Sequence, residues 1–183
     1  LNQNFKISIS DDYNQINFKL LKSGVNAYIN FNEKKQNQLK SGVLKSRILN
    51  SNLKFNFDYD EKKFKINKLY FRDKNLSFNN ESLLTYKPFF YLDSISNIED
   101  FNIKFIEEVN LTKILSLKEF IKKINLKKEI NFKRKKIKKN LIDNFNLNFD
   151  LAYGRLNYLK KFSISDNFFE CKGEINLLEE NPI

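Results

Sequence analysis

The side chains best able to do chemistry in this chain are acidic and basic, because the usual catalytic residues are missing. The sequence has no histidine and a single cysteine, Cys171, which excludes a Ser-His-Asp triad and argues against a zinc site. It also contains no glycine-rich phosphate loop of the GxGxxG or GxxxxGK[ST] kind. We therefore expect a protein that is not an enzyme, with no catalytic residue, no metal site and no cofactor.

Acidic side chains are grouped at a few places, where a pair of carboxylates held a few ångströms apart can act as the acid and base of a glycosidase. The surrounding residues are polar and typical of turns and strand ends, which favours a solvated, structural role. These groups are Asp58-Asp60-Glu61, Glu99-Asp100, Glu107-Glu108 and Glu179-Glu180.

The strongest charge feature is a basic run over residues 127–139. One interpretation is an anion-binding patch for lipid headgroups, lipopolysaccharide phosphates or nucleic acid, and the other is the solvated face of a strand or loop. A nucleic-acid site needs aromatic rings on the same exposed face, whereas Phe132 alternates with the lysines and so lies on the opposite face. We favour the solvated face, expect no nucleic-acid partner and keep a polyanion- or RNA-binding module as an alternative. The candidate anion-binding residues are Lys133, Arg134, Lys135 and Lys136.

The composition weakens the argument from charge. The net charge is +11, but the chain has 29 lysines against 4 arginines, and 28 asparagines. Lysine, asparagine, isoleucine and phenylalanine all have A/T-rich codons, so a base-composition bias produces this pattern whatever the function. Arginine, which binds phosphate with two parallel hydrogen bonds, is scarce.

Apolar and polar residues alternate along most of the chain, as side chains do when a strand has one apolar and one polar face. Antiparallel sheets with one solvated side have this pattern. We predict a mainly β protein, a twisted antiparallel sheet that forms an open curved groove, with one short amphipathic helix at about residues 111–124. The alternating runs are 5–9, 25–31, 53–59, 101–105 and 145–151.

Several local features are predicted from turn chemistry and phase. Residues 1–31 are expected to form three strands, and residues 52–59 and 64–71 a hairpin. The phase of the second arm changes between Ile66 and Leu69, which indicates a bulge. Turns are expected at residues 11–14 and 79–82, a loop around Pro88, and turns or bulges at Gly154 and Gly173.

The apolar faces allow two interpretations that periodicity does not separate. They can close the core of a structural or adhesive β domain, or they can line an open groove that holds acyl chains. For the groove, the candidate lipid-contacting residues are Phe55, Phe57, Phe145, Leu147, Phe149 and Leu151.

The C-terminal residues carry a resemblance to a known family. Residues 149–156 form a strand that ends near Gly154, residues 162–166 follow with the order apolar, polar, apolar, polar, Asp, and residues 171–178 close with Gly-x-Ile-x-Leu shortly before Pro182. This arrangement, over about residues 144–178, resembles the C-terminal region of AsmA-like proteins of the Gram-negative envelope. The family more often has Asp at the position of Asn176.

The resemblance implies a bridge-like lipid-transfer protein, anchored to the inner membrane with its bulk in the periplasm. Its implied role is non-enzymatic transfer of phospholipid or lipopolysaccharide, or outer-membrane assembly. The chain starts with Leu and has no Met, so we expect residues 1–183 to be one β-rich region of a longer protein whose membrane anchor lies in a missing N-terminal part.

Overall fold

The chain forms a single large sheet in a computed structural model that describes residues 4–21, 24–32, 39–102, 124–133 and 142–176. Strands account for 78% of these residues, and no helix occurs among them. The strands are β1 Phe5–Ile9, β2 Gln15–Leu20, β3 Val25–Asn32, β4 Lys40–Ile48, β5 Ser51–Tyr59, β6 Lys63–Arg72, β7 Leu76–Thr85, β8 Tyr91–Phe101, β9 Asn125–Lys133, β10 Asn144–Ala152, β11 Arg155–Ile164 and β12 Asn167–Asn176.

The order of the twelve strands in the sheet is their order in the chain, from β1 at one edge to β12 at the other. All neighbouring pairs are antiparallel except β8 and β9, which are parallel. The sheet is not closed, so the mainly β prediction is confirmed and a closed sheet is excluded for the described strands. The helix predicted at about residues 111–124 falls, apart from Ile124, outside the described residues, as does most of the predicted strand at 101–105.

Short polar segments make the turns between strands, including the one predicted at residues 11–14. Tyr13 has a left-handed φ of 56° in the turn between β1 and β2, and Gly24 has a φ of 67° before β3. Between β5 and β6 the Asp60 carboxylate accepts hydrogen bonds from the backbone N–H groups of Lys62 at 2.8 Å and Lys63 at 3.0 Å. Those bonds stabilise the ionised form and lower the pKa of Asp60. The loop at Pro88 and the turn at Gly154 are likewise present.

Two bulges keep the apolar side chains in phase across the sheet. The predicted bulge in β6 is confirmed, because the pairing register changes between Ile66 and Leu69 and Lys68 between them has a φ of 52°. A second change places Phe78 opposite Ile98 but Ser77 opposite Asp100, which leaves Glu99 as the extra residue of β8. Each bulge adds one residue to one strand, so the apolar side chains before and after the bulge lie on the same face of the sheet.

Two of the turn predictions were wrong. Residues 79–82 lie in the middle of β7, although asparagine and serine are typical of turns, because Asn80 and Ser82 form side-chain hydrogen bonds across the sheet. Gly173 lies in the middle of β12 and is neither a turn nor a bulge. A Cβ at Gly173 would be 2.6 Å from the Tyr158 hydroxyl oxygen, so the glycine makes room for that ring.

Candidate functional site: the apolar face of the sheet

The pairing registers place most of the apolar residues of the twelve strands on one side of the sheet, which we call the apolar face. Within the described ranges every strand belongs to this sheet, so no second sheet or helix covers that face. With neighbouring strands about 4.8 Å apart, a line across the twelve strands is about 50 Å long. One such line, the apolar row, consists of Ile7, Phe18, Ala27, Ser46, Leu53, Phe71, Phe78, Ile98, Phe132, Phe145, Phe162 and Phe169.

All six predicted groove residues lie on the apolar face, in two groups. Phe55 and Phe57 are on β5, and the other four are on β10, with the four strands β6–β9 between the two groups. Phe57 is 5% exposed and Leu151 4%, so these two pack within the face. The remaining four, Phe55, Phe145, Leu147 and Phe149, are half-buried and present surface.

An aromatic cluster surrounds Phe57. Its ring centroid lies 5.5 Å from that of Phe64, 5.9 Å from Phe31 and 6.2 Å from Phe55. The ring extends over Gly42 of the neighbouring strand, where a Cβ would come within 2.5 Å of Phe57 Cζ. Gly42 therefore provides the space that lets the cluster lie close to the sheet.

A second apolar concavity lies over β8–β11, and we call it the aromatic pocket. It has a volume of about 360 Å³, and its walls include Ile98, Ile130 and four phenylalanine rings. Two of the rings, Phe101 and Phe132, pack edge to face with centroids 4.8 Å apart. Lys160 also lines the pocket, with its Nζ 5.0 Å from the Phe162 ring centroid. The remaining two rings are those of Phe145 and Phe162.

A group of polar side chains interrupts the apolar face on β7–β9, beside the aromatic pocket. We call it the polar island: Asn80, Ser82, Ser94, Ser96 and Lys128. Lys128 Nζ donates to Ser94 Oγ at 2.7 Å and to Ser96 Oγ at 2.6 Å. Asn80 Nδ2 lies 2.8 Å and 2.9 Å from the same two oxygens, and Ser82 Oγ lies 2.8 Å from Ser94 Oγ.

The ammonium group of Lys128 is partly desolvated and has no counter-charge among the described residues. Its side chain is half-buried, and among the described residues no carboxylate lies within ion-pair distance of it. Burial alone lowers the pKa of Lys128 from its usual 10.5. Ser94 and Ser96, which Lys128 contacts, are 5% and 7% exposed, so the polar island is part of the packed interior of this face.

The polar island was missed by the sequence analysis, which treated Lys128 as one more member of the basic run. A signal was present: Lys128 has the same phase as Ile130 and Phe132, and the register places it between Ser94 and Phe149 on the apolar face. Asn80 and Ser82 were obscured by their similarity to a turn.

The opposite face is polar and hydrogen-bonded along the strands. Asn146 Nδ2 donates to Asn131 Oδ1 at 2.7 Å, and Asn131 Nδ2 lies 2.9 Å from Glu129 Oε1. A concavity of about 710 Å³ on this face is lined by acidic and basic side chains. Lys127 stands opposite Asp93 and Asp150 there, so the charges in this concavity alternate in sign.

The predicted anion patch is only partly described. Lys133 is exposed at the end of β9, whereas Arg134, Lys135 and Lys136 lie outside the described residues. In the described part of the run, Lys127 and Lys128 project to opposite faces of the sheet. Residues 127–133 therefore do not form one continuous basic surface.

The acidic groups within the described ranges have structural partners. Asp58 accepts a hydrogen bond from Asn67 at 2.7 Å, and Glu99 accepts one from Asn79 at 2.7 Å. Among the described residues, no group of three or more Cys, Asp or Glu side chains is placed to hold a metal ion. That part of the chain also contains no helix long and apolar enough to cross a membrane.

Comparison with family models, curated proteins and solved structures found no match to this chain.

Proposed function

We propose that this protein binds lipids non-enzymatically, with acyl chains lying on the apolar face and headgroups projecting to water, and that it transfers them within the bacterial envelope. The observation that carries the proposal is the apolar row, in which a run of mostly apolar side chains crosses all twelve strands of an open sheet. An exposed, continuous apolar surface of this size is typical of an interaction site.

The energetics suit passive transfer. Burying each CH₂ group of an acyl chain contributes about 0.8 kcal/mol, so one chain gains ample affinity from surface burial alone. Because that interaction is non-directional, an acyl chain that moves along the row exchanges contacts with one apolar side chain for contacts with the next, with little barrier. We therefore propose that the open curved groove predicted from the sequence is a conduit for acyl chains.

The cellular setting is proposed from the resemblance of residues 144–178 to AsmA-like proteins. It suggests a periplasmic protein that is anchored to the inner membrane and that carries phospholipid or lipopolysaccharide or supports outer-membrane assembly. The described strands at the C-terminal end of that region, β11 and β12, continue the apolar face to its edge.

The proposal is tested by native mass spectrometry of the detergent-free chain, followed by lipid extraction and by a matched pair of variants. Phe55→Asp places a carboxylate on the apolar face, and Lys54→Asp places the same side chain on the polar face of the same strand. Phe55 is half-buried, so it suits this test better than Phe57. Phe149 is unsuitable because it stands opposite Lys128, which would pair with the new carboxylate.

We expect the unmodified chain and Lys54→Asp to carry lipid, and Phe55→Asp to carry less while keeping the β-sheet circular dichroism spectrum. A stable chain that takes up no lipid from vesicles would contradict the proposal. Equal lipid binding by both variants would show that acyl chains do not contact the apolar face at β5.

A further inference from the structure

We propose that the polar island is a headgroup site, at which Lys128 and Ser96 bind the phosphate of an anionic phospholipid whose acyl chain extends into the aromatic pocket. This inference rests on the proposed function and names the class of lipid that the apolar face selects.

Charge is distributed unequally between the two faces. On the described strands, the apolar face carries the basic side chains Lys40, Lys128 and Lys160 and no Asp or Glu. The acidic residues of the strands, among them Asp93, Glu129 and Asp150, all lie on the polar face. A molecule that lies on the apolar face therefore meets positive charge only.

Lys128 and Ser96 each keep a hydrogen-bond donor that no described residue uses. An ammonium group has three N–H bonds, and Lys128 uses two of them on Ser94 and Ser96. Ser96 Oγ accepts from Lys128 and from Asn80, and its own hydroxyl proton has no acceptor among the described residues. One ammonium N–H and one hydroxyl thus remain for a ligand, and a phosphate oxygen accepts both.

The polar island lies next to the aromatic pocket on the same face of β9. Along β9, Lys128 is followed on the same face by Ile130 and Phe132, which line the pocket. At about 3.3 Å per residue, these side chains lie roughly 7 and 13 Å from Lys128 along the strand. A lipid with an anionic headgroup and a long apolar tail can contact Lys128 with the headgroup and Ile130 and Phe132 with the tail, whereas a free phosphate ion can contact only Lys128.

A desolvated charge without a counter-charge is unfavourable, and an anion that binds there recovers the lost interaction. The pKa of Lys128, which burial lowers in the free protein, is then expected to rise when a phosphate binds beside it. A lysine that merely fills space would show no such coupling to the headgroup.

The test compares Lys128→Met with Lys127→Met in the full chain. Methionine keeps an unbranched apolar stem and removes the ammonium, and the control makes the same change on the polar face one residue earlier. Each protein is incubated with vesicles of phosphatidylcholine containing phosphatidylglycerol, separated from them, and its bound lipid is identified by mass spectrometry. We expect the unmodified chain and Lys127→Met to enrich phosphatidylglycerol about tenfold, a factor that corresponds to about 1.4 kcal/mol.

Lys128→Met is expected to bind both lipids without preference. If Lys128→Met does not fold, Ser96→Ala keeps the lysine, removes one donor and should reduce the enrichment. If the unmodified chain binds lipid without preference, or if Lys128→Met keeps the preference, the headgroup site is refuted while lipid binding stands. If no lipid of either kind is bound, the proposed function itself fails. Inorganic phosphate that displaces the lipid at equal concentration would show a free-anion site and would also overturn the inference.

Discussion

Gly42 offers the sharpest test of how the apolar face is built. A Cβ at this position would lie 2.5 Å from Phe57 Cζ and 2.6 Å from the backbone oxygen of Asn30, against an ordinary van der Waals separation of about 3.5–4.0 Å. The Phe57 ring is 5% exposed and packed among other rings, and the Asn30 oxygen belongs to the neighbouring strand. Neither can move by the required ångström without disturbing the sheet.

Gly42→Ala should therefore lower the free energy of unfolding by about 1–3 kcal/mol, the usual cost of overpacking a well-packed site. Replacing glycine in a strand also removes an entropic cost of roughly 0.5–1 kcal/mol, so the net effect falls in the lower part of that range. The control is Gly173→Ala, where the three heavy atoms nearest to a Cβ belong to the outer end of the Tyr158 side chain, at 2.6–2.7 Å. Since that ring lies next to the edge strand and can turn away, we expect little change or a slight gain.

The measurement is urea unfolding of both variants and of a double-mutant cycle. Phe57→Ala removes the close contact with the ring and leaves the one with the Asn30 backbone oxygen, so Gly42→Ala should cost less when combined with it than alone, with a coupling free energy of about 1 kcal/mol, a size typical of residues in contact. No loss of stability in Gly42→Ala, or strict additivity with Phe57→Ala, would show that Phe57 does not lie over Gly42 as described.

Two further predictions concern the same face. Burial lowers the pKa of Lys128 in the folded chain, so the unfolded chain holds the proton more tightly. The contribution of Lys128 to the free energy of unfolding should therefore increase as the pH rises from the lowered pKa towards 10.5. Plots of the free energy of unfolding against pH for the unmodified chain and for Lys128→Met should diverge in that range, and parallel plots would mean that the ammonium is solvated. Cys171 is exposed on the apolar face of β12, so a maleimide should label it in the folded protein, and bound phospholipid should slow the labelling severalfold, whereas unchanged rates would place the lipid elsewhere.

Much of the sheet could be predicted from the sequence because each strand has a strong period-two pattern. The hairpin of β5 and β6 was predicted nearly to its ends, and the bulge near Lys68 was visible as a change of phase between Ile66 and Leu69. The faces of Phe55 and Phe145 follow from the same alternation. The order of the strands in the sheet was not predicted, although it is the chain order that hairpins favour.

The missed features depend on contacts between distant residues. Asn80 resembles a turn residue until Ser94 and Ser96 of the next strand satisfy its side chain. Gly173 resembles a turn glycine until Tyr158 is placed beside it. The parallel pairing of β8 with β9 has no local signature, because the period-two alternation within a strand is the same whether its neighbour is parallel or antiparallel.

The strand order has a consequence for how such a protein can change in length. Each strand pairs only with the strands beside it in the chain, so stability is close to a sum of nearest-neighbour contributions, as in repeat proteins. Inserting one hairpin would add two strands, or about 10 Å of sheet width, without altering any existing pairing except the one that it separates. The length of the apolar row is therefore a modular quantity, which gene duplication of single hairpins can adjust.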